Sequence, residues 1–282
     1  MIRDQCYLCN DLAGDFDQDE LNQVFDVETS PSGCLLNRER SRMNYLIQKY
    51  NSELEEVIQN VRPSGNPYDL FEVFCGEKSQ ITHQCQKQQG LAMRFGLPDD
   101  LQSTKGRQHL FTQLVSKDPE NIWFSPVCRP WSAWSQFNGH RSQLAWEDLL
   151  SQRHHQLEQV ALGIVLFRYQ KLKGRHMHWE QPQRSIMLKL PCMSEILSQT
   201  RSAEFDMCEV GDLRDPQTDQ LIKKGMVVIT TSPKLFEHFH GHKCSGNHQH
   251  QQLEGSIHHR GQTMIFRELS PKVCSSGSPA VV

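Results

Sequence analysis

Apolar positions between residues 37 and 60 recur with helical spacing. Leu46, Tyr50, Leu54 and Val57 are separated by four, four and three residues, and charged residues lie between them. This periodicity is that of one face of an α-helix. Residues 62–67 (RPSGNP) contain two prolines and a glycine, which end a helix. We therefore predict a helix followed by a linker.

Beyond this linker, short apolar runs alternate with longer helical stretches. We predict strands over 68–74, 121–125, 177–180 and 226–231, and helices over 79–94, 106–116 and 142–173. Strands that alternate with helices of this length indicate βαβ units. The pattern therefore predicts an α/β fold with a mostly parallel sheet and helices on both faces. Because ligands bind outside the carboxyl ends of such strands, we expect the loops at 74–76, 125–128 and 179–182 to converge.

The composition narrows the class of protein. In 282 residues, 37% are apolar, the mean hydropathy is −0.60, and no apolar run is long enough to span a membrane. The first residues lack the apolar core of a secretory signal, so we expect an intracellular protein with its ten cysteines reduced. The net charge of −3 gives no overall attraction to nucleic acid, so any such contact requires a local basic face.

The octapeptide SPVCRPWS at 125–132 carries the sharpest chemical signal. Cys128 follows a predicted strand and is flanked by prolines, and Arg129 beside it would favour the thiolate. The alternative is that Cys128 is a small buried apolar residue. Glu180 ends another strand after two aromatic rings, where burial would raise its pKa and suit it to protonate a base. The alternative there is a salt-bridged glutamate.

Order and spacing of these features resemble the cytosine-5 DNA methyltransferases. The chain has Asp-Leu-Phe at 69–71, the cysteine loop, a strand-final glutamate, and Lys223-Lys224 before an apolar strand. The resemblance covers residues 67–232 and implies a Rossmann-like methyltransferase fold acting on DNA rather than RNA, in the nucleus rather than the cytoplasm. A shortened domain of this family would be consistent with an origin in the polyprotein of a mobile element.

The resemblance also implies roles for individual residues. Cys128 would be the nucleophile, Glu180 would hold or protonate the base, and Arg129 would lie near developing charge. S-adenosylmethionine would be the cofactor, and four residues would line or support its site: Asp69, Phe71, Gly76 and Ser132.

The chain departs from the family pattern at the first loop. The family's loop is glycine-rich, whereas Val73 and Cys75 add side chains here and only Gly76 remains. Val127 replaces a proline, and Gln181-Pro182 replaces Asn-Val. The alternative hypothesis is therefore a catalytically inactive module of the same fold that binds nucleic acid or protein, with a structural zinc ion.

A histidine-rich stretch follows the last predicted strand. Cys244, His248 and His250 are close enough in sequence to bind one zinc ion, with His242 or His240 as the fourth ligand. The alternative is a polar loop that binds metal adventitiously. A zinc-dependent nucleic-acid-binding or nuclease module centred on these histidines is a third hypothesis.

The predicted organisation has four parts. Residues 1–36 are a poorly ordered arm, 37–66 the helix and linker, 67–232 the α/β domain, and 233–282 a His/Cys-rich segment and tail. The helix at 37–60 is expected to act as an N-terminal arm of the domain. The sequence predicts no oligomeric state.

Overall fold

The computed structural model describes residues 31–76, 79–211, 214–215, 218–251, 256–259 and 262–265. Residues 1–30 of the arm predicted over 1–36, and the tail from 266, lie outside the described residues, whereas residues 31–36 belong to a helix. In this part of the chain no helix is both long and apolar enough to cross a membrane.

Helices and strands alternate over most of the chain. The helices are α1 (Pro31–Asn60), α2 (Gln80–Lys87), α3 (Thr104–Lys117), α4 (Ala133–Gly139), α5 (Gln143–Leu172), α6 (Ser194–Leu197), α7 (Met207–Val210) and α8 (Pro233–Phe239). The strands are β1 (Leu70–Cys75), β2 (Ala92–Gly96), β3 (Asn121–Phe124), β4 (His176–Pro182), β5 (Arg201–Asp206), β6 (Leu221–Ile222), β7 (Gly225–Thr230), β8 (His250–Gln251), β9 (Ser256–His259) and β10 (Gln262–Ile265).

Six strands form one sheet in the order β2-β1-β3-β4-β7-β5. The first four run parallel, whereas β7 is antiparallel to both β4 and β5. The predicted α/β class is therefore confirmed, with a sheet that is mixed rather than purely parallel. Small two-stranded pairs join β6 to β8 and β9 to β10.

Helices cover both faces of the sheet because each strand buries alternate side chains in opposite directions. One face carries Phe71, Ile122, Phe124 and Trp179 against the long helices α1, α3 and α5. The other face packs residues such as Trp123 and Val228 against the shorter helices α2 and α8.

Helix α1 belongs to the core rather than standing apart from it. It begins at Pro31, six residues earlier than predicted, and proline is favoured in the first helical turn. Its buried residues Met43, Leu46, Tyr50 and Leu54 contact the same core as the sheet. The helix predicted as an N-terminal arm is thus packed against the α/β domain.

The helix predicted over 79–94 is shorter than expected. It ends at Lys87, because Gln89 takes a left-handed backbone conformation (φ 68°) and the chain then enters β2. The amide of Gly90 caps the helix by donating to the carbonyl of Cys85 at 2.9 Å.

Candidate functional site

The carboxyl ends of β1, β3 and β4 meet at one edge of the sheet, as predicted. The chain passes from β1 to β2 on one side and then to β3 on the other, so the strand order reverses between β1 and β3. Ligands bind at such a reversal in open α/β sheets. The amide of Ser125 donates to the carbonyl of Val73 at 3.1 Å, which joins the two strands there.

The loop that carries Cys128 is held from both sides. The amide of Val127 donates to Gln159 of α5 at 3.0 Å, and Gln181 of β4 donates to the carbonyl of Pro126 at 3.1 Å. Trp131, almost fully buried, donates to Gln156 at 2.8 Å. These contacts fix the backbone around the cysteine, because buried polar groups are costly to leave unpaired.

Cys128 itself is half-buried, and so are Arg129 and Ser132. Cys128 precedes a single 3-10 turn. The amide of Trp131 in this turn donates to the carbonyl of Cys128 at 3.0 Å. Ser132 caps α4 by accepting from the amide of Ser135 at 3.1 Å, and its hydroxyl donates to the carbonyl of Arg129. Ser132 therefore supports the cysteine loop.

Glu180 is fixed by two donors on β3 and the loop after it. Trp123 Nε1 donates to Glu180 Oε2 at 3.0 Å, and the Ser125 hydroxyl donates to the same oxygen at 3.1 Å. Neither donor was predicted from the sequence. Their signal is a polar atom at two alternate positions, one in β3 and one just after it, on the face that also carries Glu180.

Cys128, in the loop after β3, and Glu180, in β4, thus lie near the same edge of the sheet; β4 continues to Pro182, so Glu180 does not end the strand as predicted. Glu180 is hydrogen-bonded to Ser125, three residues before Cys128. The adjacent Gln181 holds Pro126, two residues before it. Gly76 ends β1 at this edge and is exposed.

Two residues predicted to bind the cofactor lie elsewhere. Asp69 is at the amino end of β1, where its Oδ2 accepts from the amide of Leu91 at 2.7 Å. Gly76 lies seven positions after Asp69, about 23 Å along an extended strand. Phe71 is fully buried and packs its ring on Phe95, with centroids 5.2 Å apart. Asp69 and Phe71 therefore stabilise the fold and do not line the carboxyl edge.

The end of β1 does not fit S-adenosylmethionine as the resemblance implied. Phe74 has a left-handed backbone (φ 60°), a conformation that favours glycine, and its ring packs on Phe124 at 5.3 Å. A Cβ at Gly76 would meet no atom within 4 Å, so no close backbone approach surrounds this glycine.

The histidine-rich segment forms a second cluster. The ligand atoms of Cys208, Cys244, His248 and His250 all lie within 4.8 Å of one another. The predicted Cys244, His248 and His250 are brought together, but the fourth member is Cys208 on α7, not His242. His242 is exposed, and its carbonyl accepts from the amide of Asp206 at 2.8 Å.

Comparison of the chain with models of protein families, with curated proteins and with solved structures gave no match. Fold alone does not determine function. The two clusters and the chemistry of their residues therefore carry the functional inference.

Proposed function

We propose that this chain is a Rossmann-like domain of the cytosine-5 methyltransferase type that binds a nucleobase of DNA and does not use S-adenosylmethionine. The observation that carries the proposal is the Glu180 carboxylate, fixed by Trp123 and Ser125 beside the Cys128 loop. It lies next to the reversal of strand order, where ligands bind. The parallel strands with helices on both faces support the assignment of the fold.

Glu180 has the chemistry to recognise cytosine. A carboxylate accepts a hydrogen bond from the exocyclic N4 amino group of cytosine. Both protein donors use Oε2, and we assign Oε1 to the base. The half-buried thiol of Cys128 would then lie against the ring. Because the base must leave the stack to reach this edge, single-stranded or mismatched DNA is the preferred substrate.

Side chains around this edge suit a nucleic acid strand. Basic residues occupy the loops at the carboxyl ends of β3 and β4 and before β7, namely Arg129, Arg184, Lys223 and Lys224. Phe137, in the helix after the cysteine loop, is 53% exposed, and the guanidinium of Arg141 lies 5.5 Å from its ring centre. Aromatic rings and arginine planes stack on bases, and basic residues neutralise phosphates.

Fluorescence anisotropy with labelled single-stranded oligonucleotides tests this proposal. One oligonucleotide carries a single cytosine and its match carries an abasic site. We expect the cytosine to improve the Kd of the wild type, and Glu180→Ala to remove about 1–3 kcal/mol of that preference, or about 5- to 150-fold. Glu195→Ala is the control, because Glu195 pairs with Arg168 away from this edge. Equal affinity for both oligonucleotides would contradict the proposal.

Titration calorimetry tests the part of the proposal that concerns the cofactor. We expect no binding of S-adenosylmethionine, because Phe74 and Cys75 stand where the family has glycine-rich backbone. Catalytic methyl transfer is the alternative function, favoured by the joint presence of Cys128 and Glu180. Cofactor binding together with a covalent adduct between Cys128 and a 5-fluorocytosine oligonucleotide would establish that alternative.

A further inference from the structure

The cluster of Cys208, Cys244, His248 and His250 lies at the same edge of the sheet as the proposed base site. β5 runs parallel to β4, because each is antiparallel to β7 between them. The end of β5 at Asp206 is therefore on the edge that carries Glu180, two strands away, or about 10 Å. Cys208 follows Asp206 by two residues, in α7.

We propose that these four residues bind one zinc ion as a structural site. Two cysteines and two histidines are a common ligand set for tetrahedral zinc. The zinc site does not depend on the proposed function. Its ligands are residue 208 and three residues between 244 and 250, whereas the proposed base site consists of the Cys128 loop and Glu180. The proposed site also includes Cys208 as a zinc ligand, a role that no spacing pattern in the sequence indicates.

The distances between ligand atoms match a tetrahedral ion. Zinc–sulfur and zinc–nitrogen bonds of about 2.3 and 2.0 Å place a sulfur and a nitrogen about 3.5 Å apart in a tetrahedron. Cys244 Sγ lies 3.7 Å from His248 Nε2 and 3.3 Å from His250 Nε2. Cys208 is buried, and the other three ligands are half-buried.

Groups next to the ligands orient them for metal binding. His248 Nδ1 lies 2.9 Å from Asn247 Oδ1, which favours a proton on Nδ1 and leaves Nε2 to bind the ion. The amide of Gly246 donates to Cys244 Sγ at 3.4 Å and stabilises charge on that sulfur. Gly246 has φ +74°, so the turn that directs this amide favours glycine.

The ion would join two segments that are distant in sequence. Cys208 is on α7, whereas the other three ligands lie between 244 and 250. Asp206 already holds the second segment, since its Oδ2 accepts from the amide of Cys244 at 2.8 Å. Each cysteine loses its thiol proton on binding, so one zinc ion replaces two protons and the site is neutral overall. The ion would make the loop at 244–250 a rigid wall beside the base site.

Metal analysis of the untagged full-length chain, after dialysis against a weak chelator, tests the site. We expect about one zinc per chain. Cys208→Ser and His250→Ala should each lower the affinity for zinc at least about tenfold. Mutation of a residue that only hydrogen-bonds to a metal ligand already causes a loss of this size. His242→Ala, in the same loop but outside the cluster, should keep its zinc. Cys208→His, which restores a ligand, should keep zinc as well.

If the variants fail to fold, the site can still be tested by replacing zinc with Co²⁺ in the wild-type protein and recording its absorption spectrum. Tetrahedral Co²⁺ bound by two thiolates gives intense visible bands and a thiolate-to-cobalt charge-transfer band, which support the site. Wild-type protein without zinc and without these bands would overturn the proposal. So would a Cys208–Cys244 disulfide, seen as a loss of two mass units from the intact chain, or full zinc content in both Cys208→Ser and His250→Ala.

Discussion

Trp123 and Glu180 form a hydrogen bond of 3.0 Å between the indole Nε1 of β3 and the carboxylate Oε2 of β4. The indole is almost fully buried, with 9% of the residue exposed. Ser125, in the loop after β3, donates to the same oxygen, so two residues hold one charged group of β4 at the proposed base site. The position of the carboxylate is set by the sheet rather than by a mobile side chain.

This arrangement predicts a difference between two substitutions of Glu180. Glu180→Gln keeps an amide oxygen for Trp123 and Ser125, so we expect its free energy of unfolding to stay within about 1 kcal/mol of wild type. Glu180→Leu removes the acceptor of the Ser125 hydroxyl and one of two acceptors of the Trp123 indole N–H, whose other acceptor is Ser125 Oγ at 3.0 Å. We expect this loss to cost about 1–3 kcal/mol. Urea unfolding measures both values. Equal losses for the two variants would show that the hydrogen bonds are not what holds Glu180.

The cysteines are predicted to differ in reactivity. Burial raises the pKa of Cys75 to about 12, with a further increase from the charge of Glu72, and burial also raises the pKa of Cys192 to about 12. Both thiols therefore stay protonated at pH 8, where the thiolate is the reactive form. Cys128 is half-buried in a loop beside Arg129. We expect iodoacetamide to alkylate Cys128 at least about tenfold faster than Cys75 or Cys192.

Peptide mass spectrometry of the native protein after timed alkylation gives the three rates side by side. Gln159→Leu provides a second comparison, because it removes the acceptor of the Val127 amide. Loosening of the loop should raise the rate at Cys128 and leave the rate at Cys192 unchanged. Alkylation of all three thiols at one common rate would show that global unfolding, not loop structure, controls access.

The strands that could be predicted are those that bury most of their side chains. β1, β3 and β7 are almost entirely buried, and their apolar runs stand out in the sequence. β2 and β5 are edge strands whose exposed residues interrupt the apolar pattern, as Arg94 does in β2. Side-chain burial does not indicate strand direction, so the antiparallel placement of β7 between β4 and β5 needed the structure.

The same reasoning explains which parts of the two clusters were predictable. Cys128 follows β3 and Glu180 lies near the end of β4, and the carboxyl ends of these neighbouring parallel strands must meet at one edge. Cys208 lies 36 positions before Cys244, and only the path of the chain through β6, β7 and α8 between them brings the two sulfurs together. Asp69 and Phe71 were misplaced because a motif specifies order along a strand, not which end or face a side chain occupies.

A buried ion pair between α1 and α3 predicts that α1 is essential for stability. Arg107 donates from Nε and from one terminal nitrogen to the two oxygens of Glu53, at 2.7 and 2.8 Å. Its guanidinium also lies 4.3 Å from the ring centre of Tyr50. Only 2% of the Arg107 side chain is exposed. Glu53→Ala would leave this charge buried and unpaired, so we expect a loss of about 3–5 kcal/mol in urea unfolding.

The exposed pair of Arg168 and Glu195 is the matched control. Its side chains are 38% and 37% exposed, and Arg168 Nη2 lies 2.6 Å from Glu195 Oε2. Because solvent screens such a pair, Glu195→Ala should cost at most about 1 kcal/mol. If Glu53→Ala were no more destabilising than Glu195→Ala, α1 would contribute little to the core.

The buried His178 predicts that stability falls in mild acid. Burial lowers its pKa to about 3, and the charge of His176 lowers it further. Its ring nitrogens lie 2.8 Å from Thr230 Oγ1 and 3.1 Å from Asn121 Oδ1. The folded state therefore holds this histidine neutral, whereas in the unfolded chain it binds a proton below about pH 6.5. Since the unfolded state binds more protons between pH 6.5 and 3, the free energy of unfolding falls as the pH falls through this window.

We expect His178 to lower the free energy of unfolding at pH 5 by about 2 kcal/mol relative to pH 7. Urea unfolding of wild type and His178→Gln at the two pH values measures it. The variant should be less stable at pH 7, because it loses a hydrogen bond, and its stability should change less with pH. Other titrating groups, including Cys208, Cys244, His248 and His250, are common to both proteins and cancel in the difference. Parallel pH dependences for the two proteins would mean that His178 takes up its proton in the folded state, against the burial and hydrogen bonding described above.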